Sequence, residues 1–325
     1  MSVYLGVDGG GTNTDFLLID AAGRVLARHR EGCAYYPEVG LDGLRAMLDR
    51  GIGRTLANAG VGADTVRFAF FGIPAYGEDS RLQSTLDAAP GGRLPAERYR
   101  CGNDVVCGWA GALAGSDGIH LVAGTGSIGY GEYGGRAARA GGWGELFGDE
   151  GSAFWIVREA LQAFARSADG RDPRGALYTL LRGHFGLGED LDICGAIYGT
   201  GQPDRSRVAA LAPLVAEAAG RGDPAAMRIF AAAVTEFVEI VEAVRTGLGV
   251  PDDVRMPVSY SGGMFRFETL IRTPLAARLD GDQRYEFRAP LLTPDAGAAV
   301  HAARLAGEPL PPEAIDALRR GRIAR

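Results

Sequence analysis

Val3-Tyr4-Leu5-Gly6-Val7-Asp8-Gly9-Gly10-Gly11-Thr12-Asn13-Thr14-Asp15-Phe16-Leu17-Leu18-Ile19-Asp20 decides the fold. An apolar run from Val3 to Val7 ends in Asp8, three glycines follow, and Phe16 to Ile19 is apolar again. The order is strand, glycine turn, strand: a hairpin, not a strand feeding a helix. Asp20 to Gly23 reads as the next turn and Val25 to Arg30 as a third strand. Three adjacent glycines exceed what a tight turn needs. They let backbone amides of Gly9, Gly10 and Gly11 converge on an anion, with the Thr12 and Thr14 hydroxyls as further donors. Asp8 is itself anionic and cannot hold a phosphate. It suits Mg²⁺ held through water, because that ion prefers oxygen ligands and keeps its waters. A plain hairpin turn is the competing reading.

The pattern restarts after the Ser116-Asp117-Gly118 turn. Ile119 to Ala123 is an apolar strand, Gly124-Thr125-Gly126-Ser127 a glycine turn, and Ile128 to Tyr133 a second strand. Gly124 to Gly129 spells G-x-G-x-x-G, yet a dinucleotide site needs the third glycine to open a helix. Here a strand continues, so a second phosphate-binding hairpin fits better. The repeat divides the chain into residues 1–117 and 118–325, with a helix over 294–307 free to pack back toward the first half.

Between the hairpins, Leu41 to Ala59 has helical spacing, Val66 to Phe71 is a buried-type strand, and Arg81 to Ala88 reads as a helix. Tyr99 to Gly102 is a short strand and Asp104 to Leu113 a helix. In the second half, Ser152 to Arg166, Val208 to Ala219 and Ala225 to Gly247 read as helices. Val258 to Tyr260 is a strand, Phe267 to Leu279 a helix split at Pro274, Tyr285 to Ala289 a strand, and Pro294 to Leu305 a small-residue helix. Strands alternating with helices imply α/β layers, and the opening hairpins make both sheets mixed. The stretch from Pro309 to Arg325 is a helix or a frayed end.

Composition sets the bounds. The 325 residues suit about two domains of roughly 150 residues. With 46% hydrophobic and 23% charged residues the chain can build ordinary cores. A net charge of −6 argues against nucleic acid as a partner. All 34 basic residues are arginine. The absence of lysine excludes a P-loop, a protein-kinase site and Schiff-base chemistry. Cys33, Cys101, Cys107 and Cys194 form no C-x-x-C pair, and the four histidines are scattered. Zinc spacing is therefore lacking, and the expectation is reduced thiols in a cytoplasmic protein. No stretch approaches the roughly 20 apolar residues of a membrane span.

Three further segments can carry chemistry. Asn103-Asp104 precedes a helix, so Asp104 is either its N-cap or a general base that takes a hydroxyl proton. Gly148-Asp149-Glu150-Gly151-Ser152 opens another helix, where Asp149 either caps or accepts hydrogen bonds from sugar hydroxyls. Trp143 and Trp155 flank it, as stacking surfaces or as core. Ser261-Gly262-Gly263-Met264 lies between strand and helix, either as a tight loop or as a place for an adenine to approach the backbone.

Together these segments, with Gly141-Gly142-Trp143-Gly144, resemble the N-acetylglucosamine kinase group among the BadF/BadG/BcrA/BcrD-type ATPases, within the actin–hexokinase–heat-shock ATPase superfamily. The likeness runs from Val3 to Leu305, and its specificity lies in the order and spacing of motifs that are weak alone. It implies two actin-like (ribonuclease H-like) domains with a cleft between them, ATP and Mg²⁺ as cofactors, and transfer of a phosphoryl group to a sugar, most simply at C6 of N-acetylglucosamine. By that resemblance Gly9 to Thr12, Thr14 and Gly124 to Ser127 hold phosphates, Asp8 the ion through water, and Gly262, Gly263 and Met264 the adenosine. Asp104 becomes the base, and Asn103, Asp149 and Ala153 line the sugar pocket. Two departures concern the sugar. Cys33-Ala34-Tyr35-Tyr36-Pro37 lacks the asparagine that the group carries after the glycine corresponding to Gly32, and Phe71-Gly72-Ile73-Pro74-Ala75-Tyr76 lacks a small polar residue. Tyr35 and Tyr76 would stack on a larger or differently substituted sugar, such as a muramyl or free amino sugar, or be core. The resemblance also leaves open an ATPase that activates a redox partner, or a nucleotide switch. Assembly is open between monomer and homodimer.

Overall fold

The computed structural model describes residues 2–199, 201 and 204–323. Its first elements are β1 (Val3–Gly9), β2 (Thr14–Asp20), β3 (Val25–Glu31), α1 (Tyr36–Ala59), β4 (Val66–Ile73), α2 (Gln83–Asp87), β5 (Tyr99–Asn103) and α3 (Val105–Leu113). Then come β6 (Gly118–Ala123), β7 (Ser127–Tyr133), β8 (Arg136–Gly141), α4 (Ala153–Ala168), α5 (Ala176–Phe185), α6 (Asp192–Tyr198), α7 (Arg205–Ala209), α8 (Ala212–Gly220) and α9 (Pro224–Leu248). The chain ends with β9 (Met256–Ser261), α10 (Thr273–Gly281), β10 (Tyr285–Phe287), α11 (Pro294–Leu305) and α12 (Pro312–Ile323).

One sheet runs β3-β2-β1-β4-β5 and the other β10-β9-β6-β7-β8. In the first, β1 pairs antiparallel with β2 from Val3↔Asp20 to Gly9↔Thr14, and parallel with β4. In the second, β7 and β8 are antiparallel and β9 and β10 parallel. Both sheets are thus mixed, as expected of a hairpin followed by crossovers. The Gly124–Gly129 segment continues into strand β7, which excludes the dinucleotide-binding turn.

Two compact units result: Met1–His120 with Ala289–Arg325, and Leu121–Arg288. The sequence drew the line at 117/118 and left the helix over 294–307 free to pack back toward the first half. The contacts return that segment to the first unit, because α11 packs on β1, β4 and α3. The crossing with α3 brings backbones together at Gly111 and Gly297, where any side chain on Gly297 would run into the Gly111 amide. In the same unit α1 covers the opposite sheet face with Leu44, Leu48 and Ile52 against Leu5, Val7, Phe16 and Phe71. Each such buried side chain contributes roughly 1.5–3 kcal/mol.

In the second unit α9 lies on β7 and β8, burying Val234, Phe237, Val241, Val244 and Leu248 while Val238 is only half-buried. The Asp223 carboxylate caps α9 by accepting from the Ala225 and Ala226 amides at 3.0 and 3.1 Å. The region read as one helix over 208–219 is two, α7 and α8, and α5 and α6 carry no signal that the sequence reading used. Pro274 sits in the first turn of α10, splitting it from a π-helical turn over Glu268–Arg272. The C-terminal stretch is helical as α12, and Ala324 and Arg325 lie outside the described residues.

Candidate active site

In the first unit the glycine turn hangs between β1 and β2. The Ala34 amide donates to the Gly10 carbonyl at 2.9 Å, and the buried Thr14 hydroxyl donates to the Gly32 carbonyl at 2.8 Å. The turn is therefore tied to the segment after β3, and Thr14 commits its proton within the protein. Thr12 is exposed, and a side chain on Gly11 would meet nothing within 4 Å, so this rim of the turn is open.

Asp8 leaves β1 toward three other carboxylates. Burial first, then the charges of Asp104, Asp295 and Asp15, push its carboxyl well above the usual range, while a hydrogen bond from Cys107 draws it back. Asp104 stands directly before α3. The sequence left open whether it is that helix's cap. It occupies the cap position, but its side chain makes no capping bond, whereas Asn103 Oδ1 accepts from the Val105 amide at 3.1 Å. The Asn103 amide group donates to the Tyr76 carbonyl at 3.2 Å, which fixes the entry to α3. Relieved of capping, the Asp104 carboxyl is pushed up to about 6, by burial above all, with Glu78 adding and the amides of Val105 and Asp104 opposing. A carboxylate poised near neutrality is what a general base requires. Gly72 on β4 makes the approach possible. A Cβ there would lie 2.3 Å from the Cys107 Sγ and 3.1 Å from the Asp104 Cα.

The aromatic candidates separate. Tyr76 packs against the core and donates its hydroxyl to Asp87 Oδ1 at 2.6 Å, with Gln83 donating to the same hydroxyl. Tyr35 is exposed, and its amide donates to the Cys33 Sγ at 3.3 Å.

In the second unit the Gly124–Ser127 turn is held from the segment before α4. The Ala153 and Phe154 amides donate to the carbonyls of Gly124 and Thr125 at 2.9 and 3.3 Å. The Ser127 hydroxyl donates to the Glu150 carbonyl at 2.7 Å, and its amide to Asp149 Oδ1 at 3.2 Å. Asp149 does not cap α4, since Ser152 does so by accepting from the Trp155 amide at 3.2 Å. Asp149 is buried in the left-handed region at φ 58°, and Arg205 donates to its Oδ2. Burial raises its carboxyl, and Arg205 is the main opposing influence. Trp155 is core while Trp143 is exposed. Gly262 turns at φ 103° against the Ala123 carbonyl, Gly263 opens to free space, and Met264 is buried, so this segment presents backbone.

Sequence reasoning missed Arg205, Glu78 and Asp295. Each is a single charged residue outside the quoted motifs, and only the fold brings it to Asp149, Asp104 or Asp8. Among the described residues no three His, Cys, Asp or Glu side chains are placed to ligate an ion directly, and no helix is long and apolar enough to cross a membrane.

Two mixed five-stranded sheets, flanked by helices and each opening on a glycine hairpin, define an actin-like α/β protein. A ROK hexokinase from Thermus thermophilus shares this fold at TM-score 0.57 and 18% identity, over 94% of this chain and 99% of that one. The model of the BadF/BadG/BcrA/BcrD ATPase family matches residues 5–302, and the chain belongs to that family. It is 26% identical to an N-acetyl-D-glucosamine kinase of Dictyostelium discoideum, over 92% of this chain and 97% of the relative. An N-acetylmuramic acid/N-acetylglucosamine kinase of Clostridium acetobutylicum is 36% identical over 44% of this chain and 46% of its own. The structure of a candidate N-acetylglucosamine kinase from Chromobacterium violaceum superposes with TM-score 0.70 at 26% identity, over 91% of this chain and 97% of that one.

Proposed function

We propose that this protein is an ATP-dependent sugar kinase that transfers the γ-phosphoryl group to the C6 hydroxyl of N-acetylglucosamine, with Asp104 as general base. The carrying observation is Asp104 itself: a carboxylate freed from capping by Asn103, pushed up to about 6 and close to Asp8. The near full-length likeness to an N-acetyl-D-glucosamine kinase supports the choice of sugar.

Asp104 orients the acceptor hydroxyl and takes its proton as the phosphoryl group is transferred. Most of the rate gain in such a reaction comes from positioning and charge stabilisation. Amides of the Gly9–Gly11 and Gly124–Gly126 turns bind phosphate oxygens, and the Gly262–Gly263 backbone faces the adenosine. Asp149 accepts sugar hydroxyls alongside the Ser127 amide it already holds. The residues suit Mg²⁺: Asp8 is crowded by like charges that a cation would relieve, and water-mediated binding needs no ligand triad. When bound, Mg²⁺ supplies charge neutralisation on the phosphates. The muramyl sugar is the next acceptor to consider, given the second relative.

The test is the product. Incubation with ATP and isotopically labelled N-acetylglucosamine should give one phosphate ester, at C6 by carbon NMR. An ester at C1, or phosphate released without any sugar ester, would overturn the assignment.

A further inference from the structure

Arg205 is the first residue of α7, whose cap Asp204 accepts from the Ser206 and Arg207 amides at 2.8 and 3.0 Å. The helix start is thereby fixed, and from it the guanidinium reaches Asp149 Oδ2 and lies 3.4 Å from Glu145 Oε2. Asp149 is only 3% exposed, and its other oxygen holds the Ser127 amide. Gly126 abuts both: a Cβ there would sit 2.8 Å from Asp149 Oδ2 and closer still to Arg205, so a side chain at this position would push on the pair. Arg205, Asp149 and the second glycine turn are thus one clamp, built where a carboxylate would otherwise be buried without a counter-charge. Glu145 and Glu150 also face Asp149, and both disfavour its ionised form.

We infer that Arg205 is a positioning residue for sugar binding, holding Asp149 ionised and aimed beside the Gly124–Ser127 turn. The inference rests on the kinase reading in which Asp149 receives the sugar. A carboxylate keeps acceptor capacity on each oxygen beyond one bond, so the clamp leaves room for sugar hydroxyls. An ionised acceptor binds a hydroxyl more strongly than a neutral one. Arg205 therefore acts on the sugar through Asp149, without contacting the reacting atoms.

The experiment compares full-length wild type with Arg205→Met, Arg205→Lys, Asp149→Asn and the Arg205→Met/Asp149→Asn double variant. Arg205→Met should raise the sugar KM by roughly tenfold or more, and by a larger factor than it raises the ATP KM, because the same clamp also steadies the Gly124–Ser127 turn. Its sugar KM should climb further as pH is lowered, and more steeply than the wild type's, because Asp149 without its cation protonates more readily. Arg205→Lys should recover most of the loss, and the double variant should be no worse than Asp149→Asn alone. A wild-type sugar KM with an unchanged pH profile in Arg205→Met would overturn the inference, as would additive losses in the double variant. A second readout needs no turnover. With the carboxyl raised further in the folded state, Arg205→Met should lose stability relative to wild type as pH rises from about 4 to about 7, and the double variant should not. Absence of that loss defeats the clamp whatever the substrate. Failure of the wild type to phosphorylate any amino sugar, with that loss present, counts against the kinase reading and leaves the clamp standing.

Discussion

Gly72→Ala is the most informative single methyl that can be added to this protein. Its Cβ would lie 2.3 Å from the Cys107 Sγ, against about 3.5 Å or more for a comfortable contact, so about 1 Å of movement is forced. Cys107 is fully buried on α3, and Asp104, whose Cα would lie 3.1 Å from the new Cβ, stands just before that helix. The backbone of β4 is pinned by parallel pairing on both sides, Asp8↔Gly72 and Gly72↔Gly102. The strain therefore falls on the start of α3. Overpacking of this kind costs about 1–3 kcal/mol. Displacing a catalytic group by about 1 Å costs about 10²-fold in rate. Cys107→Ala removes the sulfur and should recover most of the stability of Gly72→Ala, but only part of its kcat, because the Asp104 contact persists. Urea unfolding and kcat on the four members of that cycle make the test. A Gly72→Ala protein with wild-type stability and kcat would refute the claim that β4 presses Asp104 into place.

Asp8→Asn should raise the apo protein's melting temperature, since it removes a buried charge facing Asp104, Asp295 and Asp15, while activity falls and the Mg²⁺ requirement rises; calorimetry and an Mg²⁺ titration read the two effects. With Asp104 pushed up to about 6, kcat/KM should fall about tenfold per pH unit below about pH 6 as the base protonates, and a profile flat down to about pH 5 would exclude it. His301, packed edge-on at 4.7 Å from the Phe70 ring, is lowered to about 4 by burial and then Arg304. Its folded-state value lies below the unfolded one, so its contribution is intact above about pH 6.5 and is lost as pH falls toward 4, about 2 kcal/mol of it by about pH 5. His301→Phe should flatten that part of the acid limb in urea titrations.

Residues 3–20 and 118–133 made both hairpins legible, because short apolar runs broken by a glycine turn read as strand, turn, strand. The mixed sheets followed from them. Pro294 and the small residues behind it gave α11 its bounds, yet nothing local could say that Gly297 meets Gly111 and so returns the helix to the first unit. The split at 210–211 was invisible, since the apolar spacing of α7 continues into α8. At the site, Asp104 was ambiguous between helix cap and general base because aspartate suits both; that the Val105 amide goes to Asn103 instead could be seen only in the fold. The clamp on Asp149 depends on Arg205, 56 residues away, which no spacing rule reaches.

The most direct test of the kinase assignment is ADP release from Mg-ATP in the presence of N-acetylglucosamine, N-acetylmuramic acid, N-acetylmannosamine, glucosamine and glucose, run on wild type and Asp104→Asn. The assignment predicts strong release with an N-acetylated amino sugar, N-acetylglucosamine first, and a loss of about 10²–10⁴-fold in a folded Asp104→Asn variant that still binds ATP. ATP hydrolysis that ignores every sugar, or undiminished transfer by Asp104→Asn, would contradict it.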